Sequence, residues 1–237
     1  MDLKRQLMRT GILANSLPDA LKIYDELKTV PGCETFILLC RATGESRGRN
    51  LGKHLARVFL KRGSLRSLGL IFSRKVFLFQ KPLDHPQMLA RLQKLKLDVG
   101  LHKAGVIYRE PTINAFRLGI LNPHIGILPR YRGRNVMEWA LIEGGPVGIT
   151  VFFIDSGIDT GKRIVLSEKV DISHCRSIEE AKHYLFNLDA LFFRRALELL
   201  RSPRFEYQLN DEQQGRRYYV MSRLFREVVE KLIEAKS

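Results

Sequence analysis

Apolar residues along this chain come in short dense runs separated by segments of helical spacing, and that alternation gives the first view of its architecture. The run RTGILANS, Arg9 to Ser16, reads as a buried strand entering a turn. LPDALKIYDEL after it places Leu21, Tyr24 and Leu27 on one helical face. ETFILLCRA is a second buried strand, and neither run alternates apolar with polar residues. That is the pattern of strands covered by helices on both faces, so a parallel sheet is the working expectation. RNLGKHLARVFLKR is helical by its pattern, with Leu51, Leu55, Val58 and Phe59 inward and Lys53, Arg57 and Lys61 recurring on another face. LGLIFSRKVFLFQ fits a buried strand or a helix equally, until Pro82 ends it. A helix over HPQMLARLQKL follows, then strands over LDVGLHKAG, FRLGILNPH and VGITVFFID. SIEE at Ser177 has capping-box spacing and predicts a helix to about Leu200, with Ala181, Leu185, Leu188 and Phe192 in the core. MSRLFREVVEKLIEAK is the last predicted helix. The sum is a single α/β domain over 1–202, with a short C-terminal extension over 203–237 packed on it.

Composition adds a charge. Of the 237 residues 45% are hydrophobic, enough for a full core, while the formal net charge is +15. The excess is uneven: between Arg41 and Lys75 ten Lys or Arg stand against Glu45 alone. Either this is a solvated basic face or something anionic binds, such as phosphate, nucleic acid or lipid headgroups. No apolar run approaches the roughly 18 residues of a membrane span, and the start has no secretory pattern, so cytoplasm is the expected compartment. Cys33, Cys40 and Cys175 lack metal-ligand spacing and are expected as reduced thiols.

Candidate chemistry lies where apolar strands give way to polar residues. In GILNPHIGILPRYRG, Asn122 and His124 stand two apart, so on a strand they share a face, and Pro123 keeps Asn122 extended. FFIDSGIDTG ends a second buried strand in a glycine-bearing loop with Asp155 and Asp159. Open parallel sheets bind ligands outside such strand ends. An asparagine, an imidazole and a carboxylate suit acyl transfer to an amine, because the amide can donate to a developing oxyanion and the imidazole can move a proton. No nucleophile elbow is present, which favours direct attack by the amine. Spacing alone also admits a structural histidine, turn chemistry at Asn122 and a loop aspartate bonded to its own backbone. Arg130, Arg132 and Arg134 follow at alternate positions and could form one anion-binding edge on an extended segment; equally, Arg130 and Arg134 could be solvated loop arginines, and Arg132 could hold the loop or an anionic group.

The run from Gly119 to Gly161 resembles the core of the formyltransferases that use 10-formyltetrahydrofolate, among them methionyl-tRNA, glycinamide ribonucleotide and sugar N-formyltransferases. The resemblance rests on the Asn-x-His pair, ILPRYRG, a helix around Trp139 and Gly144, the strand entry GIT, and DSGIDTG. It implies a Rossmann-like, mostly parallel sheet flanked by helices, and a catalytic trio of Asn122, His124 and Asp159. It further implies folate contacts at Asp155, Ser156, Gly157 and Ile158, with Gly105 and Val106, and an acceptor held by Arg132, Arg130 and Arg134. Two departures stand out: Ile125 and Gly126 replace the usual Pro-Ser, and Gly133, Arg134, Asn135 and Val136 replace a usual Gly-Ala-Ala-Pro. ILANSLPDA lacks the phosphate-cradling loop of the glycinamide enzymes. Only 66 residues follow Asp171, which disfavours the tRNA-binding domain of the methionyl-tRNA enzymes. The expected activity is formyl transfer to a primary amine of an amino sugar or a phosphorylated small molecule. The alternatives are a 10-formyltetrahydrofolate hydrolase with the same trio and, as another class, a non-enzymatic nucleic-acid binder using the basic residues of 47–66.

Overall fold

The structure, a computed structural model, describes residues 7–40, 69, 73 and 75–235. The predicted helix RNLGKHLARVFLKR and the basic residues of 47–66 lie outside the described residues, as do positions 68, 70–72 and 74 of LGLIFSRKVFLFQ. Contacts group the chain into two compact units that divide between Ile120 and Leu121. Among the described residues no helix is long and apolar enough to cross a membrane.

The first unit is a parallel sheet with helices. Strands β1 (Met8–Ala14), β2 (Cys33–Cys40), β3 (Val76–Phe79) and β4 (Val99–Lys103) lie in the order β3, β2, β1, β4. The apolar runs read as strands are those strands, and β3 settles the ambiguous VFLF as strand. Ile12, Leu13, Ile37, Leu38, Val99 and Leu101 are fully buried, as an unalternating pattern requires. Gly11 lets the side chains of Leu97 and Leu38 come within 2.8 and 2.9 Å of where a Cβ would stand. Helix α1 (Leu17–Leu27) buries Leu17, Ala20, Ile23 and Leu27. Of the expected face Leu27 is buried, while Leu21 and Tyr24 are half-buried on its flank. Helix α2 (Pro86–Lys94) is capped by His85, whose Nδ1 accepts from the Gln87 N–H at 3.3 Å. A short helix α3 (Glu110–Ile113) precedes β5 (Gly119–His124), which carries the chain across the division.

The second unit pairs its main strands antiparallel. Strand β5 meets β7 (Gly148–Phe153), β7 meets β8 (Arg163–Lys169), and β8 meets the two-residue β9 (Gln208–Leu209). A buried apolar run such as VGITVFFID marks coverage on both faces and does not report strand direction. A separate parallel pair joins β6 (Tyr131–Gly133) to β10 (Arg216–Tyr218). Helix α4 (Val136–Ile142) packs with them through Val136, Ala140, Tyr131 and Tyr218.

The helix predicted from Ser177 to about Leu200 is two: α5 (Ile178–Asn187) and α6 (Asp189–Arg201). Its start is as expected, with Ser177 accepting from Glu180 N–H at 3.0 Å while Glu180 reaches back to Arg176 N–H at 2.8 Å. Leu188, expected in the core, is the half-buried junction, and the buried Asp189 sits in the first turn of α6 where a carboxylate is favoured. Helix α7 (Arg223–Glu234), capped by Ser222, buries Val229 and Ile233 and packs on α4 and α5. The cysteines are free thiols, and burial pushes Cys40 up to about 12.

Candidate active site

Register places Asn122 opposite Phe152 and His124 opposite Thr150, with Pro123 between them, so both polar side chains leave the same face of β5. Asn122 is half-buried and His124 is 8% exposed. The imidazole edge packs against Phe152, with ring centroids 6.5 Å apart. From the loop after β7, Asp159 brings Oδ2 to 3.5 Å from His124 Nδ1, although 35 positions separate the two residues in the chain. The structure thus joins His124 to Asp159 and sets Asn122 on the strand face that carries His124.

The other ring nitrogen is held by backbone. His124 Nε2 lies 2.8 Å from the carbonyl oxygen of Tyr131, and since a carbonyl only accepts, Nε2 carries a proton and donates it. Nδ1 is left as the edge that faces the carboxylate. Thr150, fully buried, fixes the loop that supplies this carbonyl: its hydroxyl donates to Gly126 O at 2.7 Å and accepts from Leu128 N–H at 3.1 Å. Gly126 makes the close approach possible. A Cβ there would stand 2.7 Å from His124 Nε2 and 2.9 Å from Tyr131 O, so a serine could enter only by displacing the ring or the carbonyl.

Asp159 has a backbone φ of +56°, in the left-handed region that side chains avoid. Its Oδ2 accepts from the Gly133 N–H at 2.9 Å, and its carbonyl accepts from Asn210 Nδ2 at 2.9 Å. Neither partner carries a signal in the sequence. Gly133 contributes a main-chain N–H, and Asn210 stands in a segment without periodicity. Asp155 shapes the same loop, accepting at Oδ1 from Gly157 N–H at 3.0 Å and from the Thr160 hydroxyl at 2.7 Å. Ser156, Gly157 and Ile158 are exposed on it.

The three arginines do not form one edge. Arg132 turns inward, 8% exposed, with Nη1 donating to Glu212 Oε2 at 2.6 Å and Nη2 to the carbonyls of Glu212 and Gly215 at 3.0 and 3.2 Å. Arg130 and Arg134 are exposed, Arg130 lying over the Tyr131 ring. Strand β6 is only three residues long, so the alternation that would align them is not sustained, and Glu212 together with the Glu212 and Gly215 carbonyls holds Arg132 inward.

In the first unit, Gly105 is exposed at φ +62°, and Val106 lines a cavity of about 300 Å³ with Cys40, Leu83, Asp84, Tyr108 and Arg109. The cavity lies past the C-terminal ends of β2 and β4 in sequence, the location where parallel sheets hold ligands. Arg109 Nε is 3.2 Å from Asp84 Oδ2, and Tyr108 hydroxyl is 3.0 Å from His102 Nδ1. Burial raises the Tyr108 hydroxyl well above its ordinary value, with the nearby Cys40 adding to it.

Solved structures share this fold. A sugar N-formyltransferase from Shewanella sp FDAARGOS_354 superposes with a TM-score of 0.62 at 15% identity, covering 98% of this chain and 88% of that one. The formyltransferase PseJ from Anoxybacillus kamchatkensis, in complex with UDP-4,6-dideoxy-4-formamido-L-AltNAc and tetrahydrofolate, gives 0.53 at 18% identity, covering 97% and 100%. In sequence, a methionyl-tRNA formyltransferase from Syntrophus aciditrophicus is 34% identical over 131 residues, 54% of this chain and 42% of the relative. The chain therefore matches less than half the length of that relative. The model of the formyl transferase family matches residues 71–196, more than half of the chain and the part that carries Asn122, His124 and Asp159, and the chain belongs to that family.

Proposed function

We propose that this chain moves a formyl group from 10-formyltetrahydrofolate to a primary amine, with an amino sugar or a phosphorylated small molecule as the acceptor class. The observation that carries the reading is the buried His124 with Asp159 at its Nδ1 and Asn122 two residues back on the same strand face. The donor fits the residues present. The cavity beside Val106 is at the lower end of small-molecule site volumes, with apolar walls from Leu83 and Val106 for a flat heterocycle and the Asp84 carboxylate to accept its N–H groups. In the second unit, the loop of Asp155, Ser156, Gly157 and Ile158 offers backbone groups and one exposed apolar side chain to a ligand. The donor supplies a formyl carbonyl on a nitrogen that can leave.

Asn122 donates its amide N–H to the formyl oxygen as that oxygen gains negative charge under attack by the amine. His124 takes the proton that the attacking amine sheds and returns it to the donor nitrogen as that nitrogen leaves. With Nε2 engaged by Tyr131, the Nδ1 edge does this work, and Asp159 holds the ring and offsets its positive charge. Arg134, and Arg130 with Glu143 3.9 Å away, are exposed cations beside the site segment that an anionic acceptor can use, while Arg132 contributes by bracing the chain. The amino-sugar class is supported by the neighbours that act on sugars, one of them bound to a formamido sugar nucleotide and tetrahydrofolate.

The test is incubation with 10-formyltetrahydrofolate and a panel of amines that includes nucleotide-linked amino sugars, following free tetrahydrofolate and formamide together. Release of tetrahydrofolate matched by formamide on one amine is expected. Release without formamide would make water the acceptor and overturn the transferase reading.

A further inference from the structure

We propose that Asn210 is a positioning residue for Asp159: it clamps the turn that aims the carboxylate at His124. The proposal rests on the reading of His124 and Asp159 as the reacting pair.

Asp159 sits in the left-handed region, which aspartate tolerates better than most side chains but at a cost relative to glycine, and bonds from its neighbours hold the turn there. Asn210 does so from three sides. Its Nδ2 donates to Asp159 O at 2.9 Å and to Gly161 O at 3.1 Å, and its backbone N–H donates to Lys162 O at 3.0 Å. Carbonyls only accept, so the amide orientation is fixed by its partners. Few side chains could do this. One nitrogen must deliver two N–H bonds to two converging carbonyls within a short reach; serine has one donor and aspartate none when ionised. Asn210 is 2% exposed, so water cannot take over the bonds.

The surrounding segment braces the other end of the carboxylate. The Gly133 N–H that Asp159 Oδ2 accepts belongs to β6, which pairs with β10, where Tyr218 lies opposite Gly133. Gly133 has φ +103°, and a Cβ on it would stand 2.2 Å from Tyr218 O, so the approach of the two strands depends on glycine. The stretch from 208 to 218 therefore fixes both the turn behind Asp159 and the donor in front of it. All of it lies beyond the family-matched span of 71–196.

The test compares wild type, Asn210→Ala and Asn210→Ser by two readouts: steady-state kinetics, and the ¹⁵N NMR signals of the His124 ring across a pH titration. For Asn210→Ala we expect kcat to fall about 10-fold or more, with KM for both substrates little changed, because the aim of the carboxylate and not the substrate contacts is lost. The Nδ1 signal and its titration should move, and Asn210→Ser, which keeps one donor, should restore part of both. A variant that is merely less heat-stable, with unchanged His124 signals and unchanged kcat, would overturn the clamp. Should wild type formylate no amine, the proposed function fails on its own, and the NMR signals still decide the clamp: identical spectra reject it. If Asn210→Ala does not fold, Asn210→Ser carries both readouts.

Discussion

Among the described residues, the buried polar side chains of the first unit are Thr10, Thr35 and Thr112, whereas those of the second are His124, Arg132, Glu138, Thr150, Asp189 and Asn210. Threonine hydroxyls are inexpensive to bury: Thr10 and Thr35 bond each other at 3.0 Å, with the Glu34 carbonyl 3.5 Å from the Thr10 hydroxyl. Charged groups demand partners, and removing one partner of a buried pair is costly. Arg132 is met by Glu212, and Glu138, fully buried, by Lys182 and by Asn135 Nδ2 at 2.5 Å. The first unit is built as a sheet that folds on apolar area. The second buries ions, which adds little net stability and fixes directions instead. Asn122, His124 and Asp159 belong to the unit that does this.

The contrast can be broken most directly at Asp159. Asp159→Asn keeps the size and an acceptor for Gly133 but removes the charge beside His124. Turnover on the identified amine should drop by about 100-fold or more while circular dichroism stays as in wild type. Full turnover in this variant would move the chemistry elsewhere. A smaller loss, about 10-fold, is expected from Gly126→Ser, because the added Cβ must push the ring or the Tyr131 carbonyl aside; single-turnover rates would show it.

A third effect is one of pH. Burial pushes the Glu143 carboxyl up, but hydrogen bonds from Tyr218 and Arg216, with the Arg216 charge, outweigh it and leave Glu143 below its ordinary 4.5. A carboxyl lowered by folding adds stability that is full above its ordinary value and is lost as pH falls through the folded value. The thermal midpoint of wild type should therefore fall more steeply than that of Glu143→Gln as pH drops below 4.5. The smallest effect belongs to the first unit. Replacing Thr10 and Thr35 together by valine removes both hydroxyls at nearly constant shape and should change stability by less than about 1 kcal/mol in urea unfolding. A large loss there would erase the distinction between the units.

The strands that carry the site were legible because an apolar run that ends in polar residues announces itself at β5 and again after β7. The loop with Asp155 and Asp159 was legible for the same reason. Other features leave no such mark. The antiparallel pairing of the second unit is hidden because burial on both faces looks alike in either direction. The break at Leu188 interrupts no apolar spacing that a reader could see. Arg130, Arg132 and Arg134 are evenly spaced, yet what separates them is Glu212, 80 positions after Arg132. Asn210 works through carbonyls, and any sequence supplies those.

The bond from His124 Nε2 to Tyr131 O has a consequence for how this family member can vary. Every residue type presents the same carbonyl, so no exchange of the side chain at position 131 deletes that bond, and an alanine scan would score only the packing lost with a fully buried tyrosine. The ring's orientation is insured against point mutation at the place that sets it. Its exposure to genetic damage is displaced onto neighbours that do not themselves make that bond: Gly126, where any Cβ intrudes, and Thr150, whose hydroxyl ties the loop. Inactivating substitutions at those two positions would pass for folding defects unless the imidazole itself were observed.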